Sequence, residues 1–547
     1  MLAYFLLLFL AVGQRLAILP ATRALELSSH ESRKVSCASL AQSLKLTNTT
    51  IISATALAAN AAQAITGGQT ACGAASFMPS VNICRVVANI STSSQSTTLS
   101  EIWLPDSNLW TGRLLATGGG GLGGCIDYGG MAYTTAMGFA VTGTNGGHDG
   151  YSGASFGLNN DIILDFSYRS LHVTVGFGEA VVKAFYNNAR KYSYYFGCST
   201  GGRQGLKAAQ MFPNDYDGII AGAPATDFNH LASWGGHFYP ITGPNETDPR
   251  FVSATKWLAI HQEVLKQCDA ELDGVADGIL EDPSRCFFNP DPLVCSSTNA
   301  NTSTCLTDLQ AETVRKVYSP LYGEDGALVY PRFTPSAELS ALSGPFGYLG
   351  GSLTTPATDW YKYAIYDDPA FPMETLNAAD YKKADDLDAF HGYVSSYSGD
   401  LLRFKKSGGK IITYHGFSDS IIAPEQSMRY YKHVIQAMGQ EHHQLDSFYR
   451  LFRISGMDHC SGGRGAWAFG QSANVINGTS NVVNDIVKWV EQGTAPDTIV
   501  GTKYVNDSPA LGIDFQRGHC RYPYLTSYKG GNPSAASSWG CNLLPGW

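Results

Sequence analysis

The chain is poor in charge. Asp, Glu, Lys and Arg make up 15% of its 547 residues, against roughly 25% in ordinary soluble domains. It has no basic run and carries a net charge of −9, which excludes nucleic acid and anionic membrane as main partners. Beyond the N-terminal stretch no apolar run is long enough to span a bilayer. It has no C-x2-C pair and no His/Cys cluster, so a zinc site is not expected. The apolar stretch Leu2 to Val12 is not preceded by Lys or Arg and is too short for a membrane span. At the N-terminus it reads as a secretory signal, residues 1–24, with cleavage after Gly13 or after Ala24.

What is present fits that compartment. All 12 cysteines lie after the leader: Cys37, Cys72, Cys84, Cys125, Cys198, Cys268, Cys286, Cys295, Cys305, Cys460, Cys520 and Cys541. An even number behind a signal implies disulfides and an oxidising environment. Glycosylation sequons stand at Asn48, Asn89, Asn245, Asn301, Asn477 and Asn506. Together these features predict a secreted, extracellular glycoprotein.

The centre of the chain is KYSYYFGCSTGGRQGLKAAQM, residues 191–211. Tyr192 to Phe196 is strand-like, and Arg203 to Met211 reads as a helix closed by Pro213. Between them lies Gly197-Cys198-Ser199-Thr200-Gly201, a G-x-S-x-G pentapeptide. Strand, tight turn and helix are the setting of a nucleophile elbow. Gly197 and Gly201 lack a Cβ, so the turn can close and Ser199 can project from it. The following helix N-terminus brings backbone N–H groups and positive partial charge.

Upstream, the spacing predicts a short helical stretch at Ala54 to Ala64 and strands at Val81 to Ala88, Thr98 to Leu104, Arg113 to Ala116 and Met137 to Thr142. The glycine run 118–124 contains G-x-G-x-x-G. No acidic residue follows at the ribose-binding distance and no clear helix follows either, so a dinucleotide loop is disfavoured. The run reads instead as a loop whose N–H groups face an oxyanion. His148 and Asp149 are candidates for a site, but the surrounding glycines favour a turn. Val175 to Tyr186 is helical, and Gly218 to Ala223 is a buried strand of the kind found in parallel sheets. Alternating strands and helices indicate an α/β fold.

From 227 to 400 the composition shifts to aromatic, Gly, Pro and Asp residues, which reads as an insertion over the sheet's ligand-binding edge. Trp234, Phe238, Tyr239, Phe346, Tyr348 and Trp360 are its candidates for lining an aromatic pocket or for a small core of its own. Within it, Cys268 to Ile279 carries Asp269, Asp273 and Asp277 at four-residue spacing between glycines. Carboxylates on a turning loop suit a hard cation such as calcium, although the spacing is not that of an EF-hand.

Lys410 to Tyr414 is a buried strand running into His415-Gly416-Phe417-Ser418-Asp419. Phe448 to Ile454 is another, running into Ser455-Gly456-Met457-Asp458-His459-Cys460. The order Ser199, Asp419, His459 is nucleophile, acid, histidine, as in α/β-hydrolases. A serine hydroxyl needs a base to take its proton, and the imidazole needs a carboxylate to fix its tautomer. Asp458 is the competing acid, but it is adjacent to His459 and points away from it. His415 is the competing base and reads as structural. A bridge between Cys198 and Cys460 would hold the neighbours of Ser199 and His459 within about 7 Å of each other.

These motifs together resemble the fungal tannase and feruloyl esterase family. The residues that carry the resemblance are Gly-Cys-Ser-Thr-Gly-Gly-Arg-Gln-Gly at 197–205, the glycines at 118–124, Cys268-Asp269 with Leu-Asp-Gly-Val-Ala-Asp-Gly at 272–278, His-Gly-Phe-Ser-Asp at 415–419 and His459-Cys460. The resemblance covers most of the chain from Cys37 onward. It implies an α/β-hydrolase fold, a mostly parallel mixed sheet flanked by helices, built from 25–226 and 401–547, with a lid domain at 227–400. It implies a catalytic triad of Ser199, Asp419 and His459. It implies a structural lid calcium held by the Asp269, Asp273 and Asp277 side chains and the Val275 and Ile279 carbonyls, with no organic cofactor. It also implies the disulfides Cys198–Cys460, Cys37–Cys84, Cys72–Cys125, Cys268–Cys286, Cys295–Cys305 and Cys520–Cys541. The expected activity is serine carboxylic ester hydrolysis through an acyl-enzyme, releasing ferulate or p-coumarate from plant cell-wall esters. Thr200 N–H and a glycine-loop N–H, that of Gly120, would bind the oxyanion. The alternative within the class is a tannase acting on galloyl esters. The alternative outside it is a non-catalytic, calcium-stabilised hydrolase-like binding protein.

Overall fold

A computed structural model describes residues 35–157, 159–297, 299–472 and 480–547. The leader read at 1–24 and the sequon at Asn477 lie outside the described residues.

Nine strands form the central sheet: β1 Thr49–Leu57, β2 Ile83–Ser91, β3 Thr97–Pro105, β4 Arg113–Thr117, β5 Phe139–Thr144, β6 Tyr192–Cys198, β7 Gly218–Gly222, β8 Lys410–Gly416 and β9 Tyr449–Ile454. Their spatial order is β1-β2-β3-β5-β4-β6-β7-β8-β9. The β1–β2, β2–β3 and β3–β5 pairs are antiparallel; every pair from β5 to β9 is parallel.

The two-residue side-chain period of a strand explains why the parallel part is apolar throughout. Along β6, Tyr194 and Phe196 enter one core with Ile220, Ile412, Val483 and Ile486, while Tyr195 enters the other with Leu206, Ile219 and Ile411. Helix α1, Ser170–Tyr186, covers the β5 end. Helix α2, Thr200–Met211, covers β6 and β7 from the same side as Leu206, and Val482–Gln492 covers β7 and β8 from the opposite face.

Two expectations fail in the part of the chain before β5. Ala54 to Ala64 is not helical, because β1 takes Thr49–Leu57 and pairs along β2 from Thr49–Ile90 to Leu57–Ile83. Its β-branched residues fit a pleated edge, and sheet pairing overrides the helical preference of alanine. A helix does follow the glycine run: Tyr128–Ala136, capped by the Asp127 carboxylate accepting from Gly130 N–H at 2.9 Å. Its two glycines and two threonines hide it from propensity.

The segment 227–400 carries helices α3, Phe228–Thr242, and α4, Ala254–Asp273. Its core includes Trp234, Phe238, Trp257, Phe333 and Trp360, and it is continuous with Leu122, Phe156, Phe166, Ala225 and Ile422 from the sheet's loops. The insertion is therefore seated on the strand ends. Among the described residues no helix is long and apolar enough to cross a membrane.

Six disulfides form, in the pairings that the resemblance implied, and no cysteine among the described residues is free. Cys37–Cys84 ties the helix Cys37–Ser43 to β2, with Cα atoms 5.6 Å apart. Cys72–Cys125 anchors the far end of the glycine run. In the insertion, Cys268–Cys286 spans the acidic loop from the last turn of α4, and Cys295–Cys305 closes a short excursion. Cys520–Cys541 joins the two-stranded ladders Thr498–Tyr504/Ile513–Cys520 and Tyr524–Tyr528/Trp539–Leu543 near the C-terminus. Cys198–Cys460 belongs to the site described next.

Candidate active site

Ser199 stands between β6 and α2 with φ 62° and ψ −121°, a conformation that a side-chain-bearing residue adopts only under constraint. The constraint is visible. Ser199 N–H donates to Gly222 O at 2.9 Å, and Ser199 O accepts from Arg203 N–H at 3.0 Å and Ala225 N–H at 3.1 Å. A Cβ at Gly197 would lie 2.8–2.9 Å from the Gly201 backbone, so this approach needs glycine.

Asp419 and His459 follow β8 and β9, which are neighbours in the sheet, and this brings them together. His459 Nδ1 lies 2.7 Å from Asp419 Oδ2. The opposite ring nitrogen, Nε2, is 3.9 Å from the Cys198 sulfur, one residue from Ser199. The Cys198–Cys460 bridge, with Cα atoms 6.3 Å apart, ties the residue before the serine to the residue after the histidine. Cys198, His459 and Cys460 have donor atoms within 4.8 Å of one another, but both sulfurs are spent in that bridge, so the group is not a metal ligand set.

Asp419 is buried, which pushes its carboxyl up. The charge of His459 and the donor bonds from His415 and His459 outweigh burial and hold it well below the usual carboxylate range. Its Oδ1 accepts from Ile421 N–H at 2.8 Å and Ile422 N–H at 3.0 Å. Asp458, the competing acid, is instead pushed up to about 6 by burial, against a hydrogen bond from Ser340.

In the glycine loop, Gly118 N–H is taken by Phe196 O at 3.1 Å and Gly119 N–H by Gln204 Oε1 at 3.3 Å. Thr200 Oγ1 donates to Gly121 O at 2.5 Å and pins the loop to the elbow. Among the described residues the N–H groups of Gly120 and Gly121 have no acceptor, and Gly121 shares a pocket wall with Ser199 and Thr200. His148 and Asp149 stay outside the pocket. His148 packs on Phe156 at 5.0 Å, and Asp149 accepts from Asn145 Nδ2 at 3.1 Å, behind the loop.

The pocket beside Ser199 is apolar. Phe228, Leu231 and Ala232 come from α3, Phe346, Tyr348 and Ala357 from later in the insertion, and Ile421 and Ile422 from the loop after Asp419. Of the six aromatic residues singled out in sequence, Phe346 and Tyr348 line it, while Trp234, Phe238 and Trp360 are buried in the insertion's core and half-buried Tyr239 does neither. Phe228, Leu231, Ile421 and Ile422 were missed. The apolar pair two and three residues after Asp419 was the available signal.

At the proposed cation loop, α4 ends at Gly274 (φ 84°) and the chain turns back. Asp269 Oδ2 accepts from Gly278 N–H at 2.8 Å, Asp273 Oδ1 from Val275 N–H at 2.8 Å and Asp277 Oδ1 from Ile279 N–H at 3.1 Å. This leaves Asp269 Oδ1 and Asp273 Oδ2 buried without a partner, and burial pushes Asp273 up to about 6. Orphaned carboxylate oxygens short of positive charge fit a divalent cation.

A strand-end serine on an elbow, with a histidine and an aspartate delivered from the next strands of a mostly parallel sheet, defines an α/β-hydrolase. The comparisons make this specific. Residues 84–542 match the family model described as tannase and feruloyl esterase. A probable feruloyl esterase B-2 from Aspergillus flavus is 47% identical, over 81% of this chain and 84% of its own, and one from Aspergillus terreus is 42% identical, over 94% and 96%. The crystal structure of feruloyl esterase B from Aspergillus oryzae superposes with a TM-score of 0.88 at 40% identity, covering 93% of this chain and all of that one. A tannin acyl hydrolase from Aspergillus niger, at 21% identity and a TM-score of 0.71, shares the fold. The chain belongs to the tannase and feruloyl esterase family and is a carboxylic ester hydrolase.

Proposed function

We propose that the protein is a secreted feruloyl esterase that works through an acyl-enzyme on Ser199. The observation that carries this is the elbow serine opening into an apolar pocket beside an imidazole whose Nδ1 is 2.7 Å from a sealed carboxylate. Ser199 Oγ attacks the ester carbonyl carbon while His459 Nε2 takes the hydroxyl proton. Thr200 N–H and the glycine-loop N–H of Gly120 or its neighbour Gly121 hold the oxyanion. When the tetrahedral intermediate collapses, the C–O bond to the alcohol breaks and His459 returns the proton to it. Water, activated by the same imidazole, then releases the acid.

The pocket favours a ring with few hydroxyls. Its one phenol, Tyr348, already points its hydroxyl at Ile421 O, 3.4 Å away. A galloyl ring would bury three hydroxyls against aliphatic side chains and leave them unpaired, whereas feruloyl and p-coumaroyl rings carry one.

Calcium would sit on Asp269, Asp273 and Asp277 with the Val275 and Ile279 carbonyls. It would neutralise the carboxylates and fix the end of α4; no chemical step needs it. Exposure of Asn48, Asn89, Asn245, Asn301 and Asn506 and the six disulfides support secretion and glycosylation.

The test is Ser199→Ala assayed on methyl ferulate and methyl gallate. The expected result is a loss in kcat of at least about 10³-fold, with the wild type faster on the feruloyl ester. Undiminished hydrolysis by the variant would remove Ser199 from the mechanism.

A further inference from the structure

Asp419 has a second imidazole partner that the triad chemistry does not use. His415, the sixth residue of β8, places Nε2 3.2 Å from Asp419 Oδ2 and 3.0 Å from Ile422 O. Its Nδ1 is 2.7 Å from Ser427 Oγ on the helix Glu425–Met438. A carboxylate and a carbonyl only accept, so Nε2 carries the hydrogen. His415 and Asp419 are each 1% exposed, and water does not compete there.

With this bond the acceptor capacity of Asp419 is filled. Oδ1 takes two backbone N–H groups; Oδ2 takes His459 Nδ1–H and His415 Nε2–H. Ile422, whose carbonyl shares the His415 hydrogen, also lines the acyl pocket.

We propose that His415 is a positioning residue. It holds the same carboxylate oxygen, Oδ2, that receives His459, fixes the carboxylate plane, and draws off part of the negative charge that would otherwise raise the proton affinity of His459. The proposal rests on the Ser199–His459–Asp419 reading above.

The sign follows from the electrostatics. Removing the His415 donor leaves Oδ2 more strongly negative toward His459, which favours the imidazolium. The free enzyme must hold His459 neutral to take the serine proton, so the acid limb of kcat/KM moves to higher pH. The other titratable groups facing Asp419 are Asp458, Tyr330 and Tyr348. Burial lifts both tyrosines above the assay range, whereas Asp458, at about 6, titrates inside it. The comparison is therefore made in an Asp458→Asn background.

In that background His415→Phe keeps the ring's bulk without the donor, and His415→Gln places an amide N–H near Nε2. Loss of one hydrogen bond to a charged group predicts a fall in kcat of roughly 10- to 100-fold for His415→Phe, with KM on methyl ferulate little changed and the acid limb displaced upward. His415→Gln restores most of the rate and returns the limb. A folded His415→Phe protein with an unmoved acid limb and an undiminished kcat overturns the proposal, as does His415→Gln behaving like His415→Phe. If His415→Phe does not fold, Ser427→Ala, which removes the partner of Nδ1, is read instead. It is expected to shift the limb in the same direction, and an unmoved limb overturns the proposal. Hydrolysis surviving in Ser199→Ala would mark failure of the triad reading; an inactive Ser199→Ala with an unmoved limb in the His415 variant would sink this inference alone.

Discussion

Asp419 is sealed from solvent and still carries its charge, because two imidazoles and two backbone N–H groups face it. Elsewhere in the fold, burial without such partners has the opposite consequence. His519 is fully buried, with Nε2 3.0 Å from Ala466 O and Nδ1 unpartnered. Burial lowers it from 6.5 to about 4, helped by the charge of Arg517 and opposed by the Ala466 bond. A histidine depressed in this way is neutral in the folded chain while the unfolded chain takes up a proton. Its contribution to stability is complete above the unfolded value of 6.5 and is lost as pH falls from there toward about 4. At about 1.4 kcal/mol per pH unit, the full window is worth up to about 3 kcal/mol. His519→Gln should therefore flatten the fall in Tm between pH 6.5 and pH 4.5. An identical slope in variant and wild type would show that His519 contributes nothing to acid sensitivity.

Among the elements, two turns are built by carboxylates or glycines around backbone N–H groups, the elbow at Ser199 and the acidic loop after α4. The elbow keeps β6 and α2 close enough for Ser199 O to cap Arg203 and Ala225 N–H. The loop after α4 folds back so that Asp269 reaches Gly278 N–H, and the Arg517 guanidinium meets Asp277 at 2.5 Å and Glu281 at 3.1 Å. The Arg517 guanidinium faces four acidic side chains, Asp269, Asp273, Asp277 and Glu281, and Arg464 Nη1 lies beside Gly278. Exhaustive chelation should lower Tm, and added calcium should raise it again in proportion to the logarithm of the free ion. A Tm indifferent to both treatments would withdraw the calcium assignment.

Across the whole molecule, the Cys198–Cys460 bridge closes a loop of 262 residues that contains the entire insertion. In the loop-entropy model such a cross-link is worth on the order of 4–5 kcal/mol through the unfolded chain. Its positional effect is larger for function, since a displacement of about 1 Å at the reacting atoms can cost roughly 100-fold in rate. The double variant Cys198→Ser/Cys460→Ser should lose about that factor in kcat on methyl ferulate and melt at a lower temperature. Retention of wild-type kcat would show that the strands alone hold Ser199 and His459 in register.

The G-x-S-x-G turn, the acid and histidine after later strands and the parallel strands were legible from residue order, because each depends on local chemistry: glycine where the backbone closes, apolar runs where both faces are covered; the full set of cysteine pairings came from the family resemblance, not from spacing. The helix expected at Ala54 to Ala64 was not, because pairing with β2 outweighs what alanine prefers alone. Nor was the split among the insertion's aromatic residues, since a buried tryptophan and a pocket phenylalanine follow the same composition and differ only in what packs against them. The tertiary structure alone decided that Phe228 and Ile422 meet beside Ser199. That contact joins segments about two hundred residues apart, and spacing along a chain carries no information about it, whereas His415 reaches Asp419 within one turn, four residues on, and what the sequence leaves open there is only how the turn folds.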